Sequence, residues 1–318
     1  MIIIEKILFQ LVFPIILIIF LIIIFISGIF SRKKLRNQTQ NLMTLDEFIK
    51  DWLKDHGQAH KLEKQFSQMK KDPSGVIYMP ITYNGAKFFI KMGLTPNKVS
   101  LINLVLSMVI FWGTIMAAQG HSLAVFTQQP VYGSWFFLLA FLVLFTGIID
   151  GIDGGIARLL DIKSKKGAWV DNVIDRISDI LMLVGLIPTQ LLYVSAYNLD
   201  FTWIVWTNIF IIFIYEYMRA RHEGLGLLET KPYVGERVTR ILIHFTFFIA
   251  YGSSSLTVLI TNLISPGAAS SIWSLTHPGV IEWSMLIFQI SLLAMMILSS
   301  IQLARYSYTN LKEMDSKI

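Results

Sequence analysis

Residues 150–175 read DGIDGGIARLLDIKSKKGAWVDNVID, and the fold turns on where that stretch lies. It begins where one apolar run (134–150) ends and finishes as the next (177–197) begins. Asp150, Asp153, Asp171 and Asp175 therefore border apolar segments, where an ionised carboxylate costs roughly 2.5–3.5 kcal/mol at a helix centre. Four such groups call for a chemical reason. Asp150 and Asp153 are three residues apart and Asp171 and Asp175 four apart, so each pair shares one face of a helix. Two such helices side by side bring four carboxylates together. Like charges that close cannot all stay ionised unless cations sit among them. An all-carboxylate set without His or Cys favours hard ions, Mg2+ or Mn2+.

The 318 residues are 54% hydrophobic and only 15% charged. Soluble domains carry about 25% charge, so the composition is that of an all-α integral membrane protein. No cysteine is present, which excludes disulfides, thiolate catalysis and Cys-ligated metal. Apolar runs of spanning length fall near 7–30, 99–119, 134–150, 177–197, 202–218, 240–264 and 283–304, about seven helices. The connections 120–133, 198–201 and 265–282 hold no Lys or Arg, and every basic residue but Lys6 falls on the opposite side. By the positive-inside rule that side is cytoplasmic, with the N-terminus outside. The net charge of +6 is thus a membrane-topology signal and not a nucleic-acid one. The first run is too long for a signal-peptide core and ends in SRKKLR, which reads as a retained anchor.

Between anchor and core, residues 37–72 are polar. Thr44-Leu45-Asp46-Glu47 fits a capping box. Leu45, Phe48, Ile49, Trp52 and Leu53 then follow at helical spacing, with Gly57 as a possible end. A second helical stretch runs to about Met69, broken by Asp72-Pro73-Ser74-Gly75. The pair reads as a helical hairpin without a catalytic constellation. Lys87 and Lys91 alternate with Phe88, Phe89 and Ile90, which suits an interfacial helix. Asn97 is the expected N-cap of the next helix.

Written as spacing, the motif is D-x2-D-G-x2-A-R-x8-G-x3-D-x3-D, with Gly154, Ala157, Arg158 and Gly167 as its other fixed letters. At roughly 5–8% usage per residue type, a chance match occurs on the order of once in 10^10 starts. It resembles the signature of the CDP-alcohol phosphotransferases, membrane enzymes that make phospholipids. The resemblance covers about residues 80–310 and implies a six-helix transmembrane core, to which the first helix is an addition. The implied divisions are an anchor (1–36), a cytoplasmic helical segment (37–79), the phosphotransferase domain (80–310) and a tail (311–318).

The resemblance implies two metal ions on Asp150, Asp153, Asp171 and Asp175, with Asp175 as the base that takes the acceptor proton. Gly154, Ala157, Arg158, Ser164 and Gly167 are implied in binding the CDP-lipid, as are Asn97 and Ser100 at the start of the first core helix. Asp179 reads as a salt-bridge residue, with Arg176 as a possible partner. Members of the family are commonly homodimers.

Residues 215–240, YEYMRARHEGLGLLETKPYVGERVTR, are similar to the inositol-phosphate-using branch. Arg219, Ala220, Arg221, Glu223, Glu236, Arg237 and Arg240 match its pattern, while His222 and Thr239 depart from it. The branch implies an acceptor-phosphate site at Arg219, Arg240 and Arg305, with Arg237 as substitute. The implied reaction transfers a phosphatidyl or archaetidyl group to a polyol phosphate such as inositol 1-phosphate, releasing CMP on the cytoplasmic side of the cell membrane. Glycerol 3-phosphate is the nearest rival acceptor. A Mg2+-dependent prenyltransferase would want an adjacent Asp-Asp pair, absent here, and an ion transporter leaves Gly154, Arg158 and Gly167 unexplained.

Overall fold

The computed structural model describes residues 5, 7–36, 42–55, 58–119, 133–194, 197–227, 233–265 and 273–316. Within them lie ten α-helices: α1 (Phe13–Arg36), α2 (Leu45–Asp55), α3 (Leu62–Met69), α4 (Met79–Lys91), α5 (Pro96–Gln119), α6 (Trp135–Leu159), α7 (Lys165–Val184), α8 (Trp203–Gly224), α9 (Arg237–Ile264) and α10 (Trp273–Asp315). Strands β1 (Tyr193–Val194) and β2 (Leu199–Asp200) form a short antiparallel ribbon, Tyr193 opposite Asp200. The protein is an all-α integral membrane protein. Six long helices, α5 to α10, follow α1, the count expected of a six-helix core with one addition.

Five helical stretches among the described residues are long and apolar enough to cross a membrane: Leu8–Arg32, Pro96–Ala118, Trp135–Leu159, Arg237–Thr261 and Trp283–Asp315. Seven were expected. α7 falls short because its first three turns carry Lys165, Lys166, Asp171, Asp175 and Arg176, and α8 because Asn208 and Glu216 interrupt its apolar run. The span expected at 177–197 ends as an α-helix at Val184 and continues in turns. Pro188 has no N–H to extend it. At the other end, α10 begins at Trp273, inside the expected 265–282 connection, and runs unbroken to Asp315 through the expected tail.

The chain divides into two compact units. The first comprises residues 1–107 and 145–178 among others. Its core joins Ile24 of α1, Phe48, Ile49 and Leu53 of α2, Met79, Ala86 and Ile90 of α4, and Ile149, Ile152 and Ile156 of α6. The helical spacing of α2 buries Phe48 fully. Its capping box forms as expected: Thr44 N–H donates to Glu47 Oε2 at 2.7 Å and Glu47 N–H to Thr44 Oγ1 at 3.4 Å. The Thr44 N–H, and after it the Thr44 hydroxyl donating to the same oxygen at 2.9 Å, hold the Glu47 carboxyl below its ordinary value. The residue expected to end α2, Gly57, lies outside the described residues. α4 buries Tyr83, Phe89 and Ile90 and leaves Phe88 and Lys91 exposed, so half of its expected interfacial face is core. α6 meets α4 and the turn before it across glycines, for a Cβ on Gly151 would overlap the Tyr78 hydroxyl and one on Gly155 would lie 3.2 Å from Ala86 Cβ.

α1 packs on the 92–98 segment. Lys98 Nζ donates to the Ser27 carbonyl at 2.9 Å and to Ser31 Oγ at 3.0 Å, and a Cβ on Gly28 would approach the Met92 carbonyl to 3.1 Å. The second unit comprises residues 108–144, 179–227 and 231–318. Phe136, Phe248 and Phe288 lie at its centre, with the Phe136 and Phe248 rings edge to face at 4.9 Å. Buried Asn208 donates to the Gln289 carbonyl and to its side-chain oxygen, which ties α8 to α10 inside an apolar bundle.

Candidate active site

Local backbone chemistry turns α6 back into α7 within five residues. Ile162 N–H reaches the Ala157 carbonyl at 2.9 Å and Asp161 N–H the Arg158 carbonyl at 3.1 Å, the bond pattern of a Schellman stop. Asp161 occupies the left-handed position (φ 51°), which aspartate tolerates better than most residues. Three residues on, Ser164 caps α7 by accepting the Gly167 N–H at 3.0 Å. The stop and the cap together set the end of α6 beside the start of α7.

The expected carboxylates meet there. One carboxylate oxygen each from Asp150, Asp171 and Asp175 lies within 4.8 Å of the others, with Asp175 buried and the other two half-buried. A group of oxygens this tight suits a hard divalent cation. Asp153 stands beside this trio, with Asp171 and Asp150 as electrostatic neighbours. It is buried, and it accepts the Ser100 hydroxyl at 2.5 Å and the Gly154 N–H at 2.6 Å.

A cavity of about 540 Å3 opens next to them, inside the first unit. It is lined by Asn97, Ser100, Gly154, Ala157, Arg158, Ser164 and Gly167, the whole expected CDP-lipid set, together with Asp153 and Asp171. Asn97 is not the helix cap expected from the sequence. The helix starts at Pro96, whose missing N–H costs nothing at a first helical position, and Thr95 precedes it. Asn97 is instead one turn-residue inside, on the cavity wall. A Cβ on Gly154 would meet only Arg158 Nη1, at 3.4 Å, so this glycine keeps the wall open.

Sequence reasoning missed three contributors. Asp55 and Lys163 also line the cavity, and Asp51 lies behind them. Arg158 Nε donates to Asp55 at 3.1 Å and stands 3.8 Å from Asp51, while Lys163 Nζ bonds both carboxylates at 2.5 and 3.0 Å. Burial acts against the charged amine of Lys163, but Asp51 and Asp55 outweigh it and hold the group above its ordinary value. The available signal was the i, i+4 spacing of Asp51 and Asp55 on the polar face of α2.

The acceptor arginines lie in the second unit. Arg240, 6% exposed, donates to Asp179 at 2.7 Å, to Glu216 at 2.9 Å and to the Gly235 carbonyl. Arg237 stands 3.4 Å from Asp179, so the salt-bridge reading of Asp179 holds with these cations as partners. Arg219 pairs with Glu236 at 2.6 Å and Glu223 at 3.6 Å. Arg305 is exposed on α10. His222, which departs from the branch pattern, is buried against Ser307 at 2.8 Å, and that desolvation holds its pKa below the ordinary value.

A sequence model described as CDP-alcohol phosphatidyltransferase matches residues 93–297. The chain belongs to the CDP-alcohol phosphatidyltransferase family. Among curated relatives, an uncharacterized protein of Aquifex aeolicus is 31% identical over 143 residues, 44% of this chain and 61% of that protein. An archaetidylinositol phosphate synthase of Pyrococcus horikoshii is 26% identical over 160 residues, 50% of this chain and 71% of that one. A solved structure of Mycobacterium tuberculosis phosphatidylinositol phosphate synthase with CDP-DAG bound aligns at a TM-score of 0.48 and 19% identity, over 72% of this chain and 94% of that one. The family match takes in every motif residue from Asp150 to Asp175 but not α2.

Proposed function

We propose that this membrane protein transfers a phosphatidyl or archaetidyl group from a CDP-lipid to a polyol phosphate, inositol 1-phosphate in the first instance, with release of CMP. The observation that carries the reading is one cavity lined by all seven donor-binding candidates with Asp153 and Asp171, the latter grouped with Asp150 and Asp175. The residues fit a metal: three carboxylate oxygens within 4.8 Å of one another, with Asp153 adjacent, form a hard-donor set. Mg2+ or Mn2+ there, two ions for a diphosphate, would neutralise charge on both sides of the bond that breaks.

The chain's own residues divide the remaining work. Gly154 and Ala157 leave room for the nucleotide, and Arg158 offers its guanidinium to a diphosphate oxygen. Ser100 holds Asp153 in place. Asp175 accepts the proton of the acceptor hydroxyl as that oxygen bonds the β-phosphorus; the phosphorus–oxygen bond to CMP breaks and CMP leaves. The domain boundaries 1–36, 37–79, 80–310 and 311–318, and a cytoplasmic active site, belong to the same proposal and are supported by the asymmetry of Lys and Arg.

For the acceptor we assign phosphate binding to the arginines of the 215–240 region and α10. Arg219 and Arg305 are the accessible members, while Arg237 and Arg240 are buried against Asp179. The relative named archaetidylinositol phosphate synthase supports inositol phosphate over glycerol 3-phosphate. The test is CMP release by the purified protein with CDP-diacylglycerol or CDP-archaeol and Mn2+ or Mg2+, each acceptor offered separately. Release that requires inositol 1-phosphate supports the proposal. Release with glycerol 3-phosphate alone moves the product to a phosphatidylglycerol phosphate, and no release with any acceptor removes the reading.

A further inference from the structure

Helix α2 lies outside residues 93–297 and carries no part of the motif, yet it touches the motif arginine in three ways. Asp55 takes Arg158 Nε at 3.1 Å, Asp51 lies 3.8 Å from the same nitrogen, and the Phe48 ring sits 5.9 Å beneath the guanidinium carbon. With Nε committed, the Nη edge of Arg158 is the one turned toward Gly154, where a Cβ would come within 3.4 Å of Nη1. Lys163 completes the group by bridging Asp51 and Asp55, and both Lys163 and Asp55 face the cavity.

Stability is a poor account of this quartet. The side chains of Asp51, Asp55 and Lys163 are 32–38% exposed, and ion pairs that exposed add little to folding. Orientation is a better one. A guanidinium is a rigid planar fork, and fixing its Nε side decides where the remaining donors point. A long side chain held in advance also loses less freedom when an anion arrives.

We propose that α2 is part of the donor site, with Asp55, backed by Asp51 and Lys163, acting as a positioning residue that aims the Nη edge of Arg158 at the diphosphate of the CDP-lipid. The inference rests on the donor reading above. It makes the N-terminal helical segment a working part of substrate binding, and it predicts energetic coupling between residues 103 positions apart.

The experiment is a double-mutant cycle on full-length protein in detergent, reading the Kd for CDP-diacylglycerol in the presence of Mn2+ and, separately, KM and kcat. Asp55→Asn is expected to weaken donor binding about tenfold, with kcat at saturating donor within about twofold of wild type. Asp55→Glu restores part of the loss. In an Arg158→Ala background, Asp55→Asn has no further effect, because the group it positions is gone. Should Asp55→Asn not fold, Asp51→Asn and Asp55→Glu read the same coupling. Additive losses, or donor binding untouched by every α2 variant, overturn the inference and leave the donor reading standing. Wild-type protein that binds no CDP-lipid removes both.

Discussion

Two charged regions, one in each unit, are built in opposite ways. In the first, Asp150, Asp171 and Asp175 are driven against one another at the end of α6 and the start of α7, beside an open cavity. In the second, guanidinium and carboxylate are matched: Arg240 with Asp179 and Glu216, Arg219 with Glu236 and Glu223. Crowded like charges repel unless cations or protons sit among them. Matched charges satisfy themselves and hold helices in register. Both regions were read from the sequence as binding sites, and the geometry separates them. One gathers carboxylate oxygens that could hold a cation. In the other, an incoming phosphate must displace a carboxylate.

The largest expected effect comes from breaking the crowded region. Asp175→Asn is expected to lower CMP release by about 10^2–10^4-fold, the range for loss of a general base, without loss of folded protein. Removing divalent metal with a chelator is expected to abolish CMP release, and adding Mn2+ or Mg2+ to restore it. A variant that keeps its rate would show that the proton goes elsewhere.

The matched region should fail differently. Arg240→Ala removes the guanidinium that bridges buried Asp179 and Glu216, a change that costs about 3–5 kcal/mol in comparable settings. Thermal unfolding in detergent is expected to show a large drop, whereas Arg305→Ala leaves the melting point unchanged and raises KM for the acceptor. If Arg240→Ala instead leaves stability intact and raises only the acceptor KM, its carboxylate partners are exchangeable and the contrast between the two regions collapses.

A finer comparison lies inside the motif, between glycines that face different ways. A Cβ at Gly151 would overlap Tyr78, while one at Gly154 meets only the tip of Arg158. Gly151→Ala is expected to destabilise the protein by about 1–3 kcal/mol through overpacking. Gly154→Ala leaves the melting point alone and weakens CDP-lipid binding. Equal effects on stability would mean that both glycines serve helix packing.

This contrast marks what the sequence could disclose. The aspartates were legible because their spacing falls on helical faces, and the structure groups Asp150, Asp171 and Asp175 with Asp153 beside them, whereas the cavity residues were legible only through the family resemblance. The start of α5 was misread by two residues because Asn97 has a capping side chain, whereas Pro96 decides the matter by its missing N–H. The role of α2 was not legible: Asp51 and Asp55 look like a solvated helix face until Arg158 and Lys163, more than a hundred residues later, are folded against them. The six-plus-one helix count was legible, although α7 and α8 are less apolar than the other long helices because the site's own charges and the buried pairs Asn208–Gln289 and Glu216–Arg240 lie along them.

The smallest effect concerns how firmly α2 is held. Glu47 has its folded pKa depressed from an ordinary 4.5, chiefly by the Thr44 backbone N–H and then by the Thr44 side chain. A depressed carboxyl contributes stability that is present above the ordinary value and lost as pH falls through the folded one. Fraying of α2, followed by hydrogen exchange at residues 45–55, should therefore increase as pH drops from about 4.5. Glu47→Gln is expected to remove that pH dependence, and Thr44→Ala to raise exchange a few-fold at neutral pH by deleting the cap. Because α2 carries Asp55, the same variants should weaken CDP-lipid binding slightly, and in proportion to the fraying. Fraying without any change in donor binding would detach α2 from the site and leave the charge contrast to the aspartates alone.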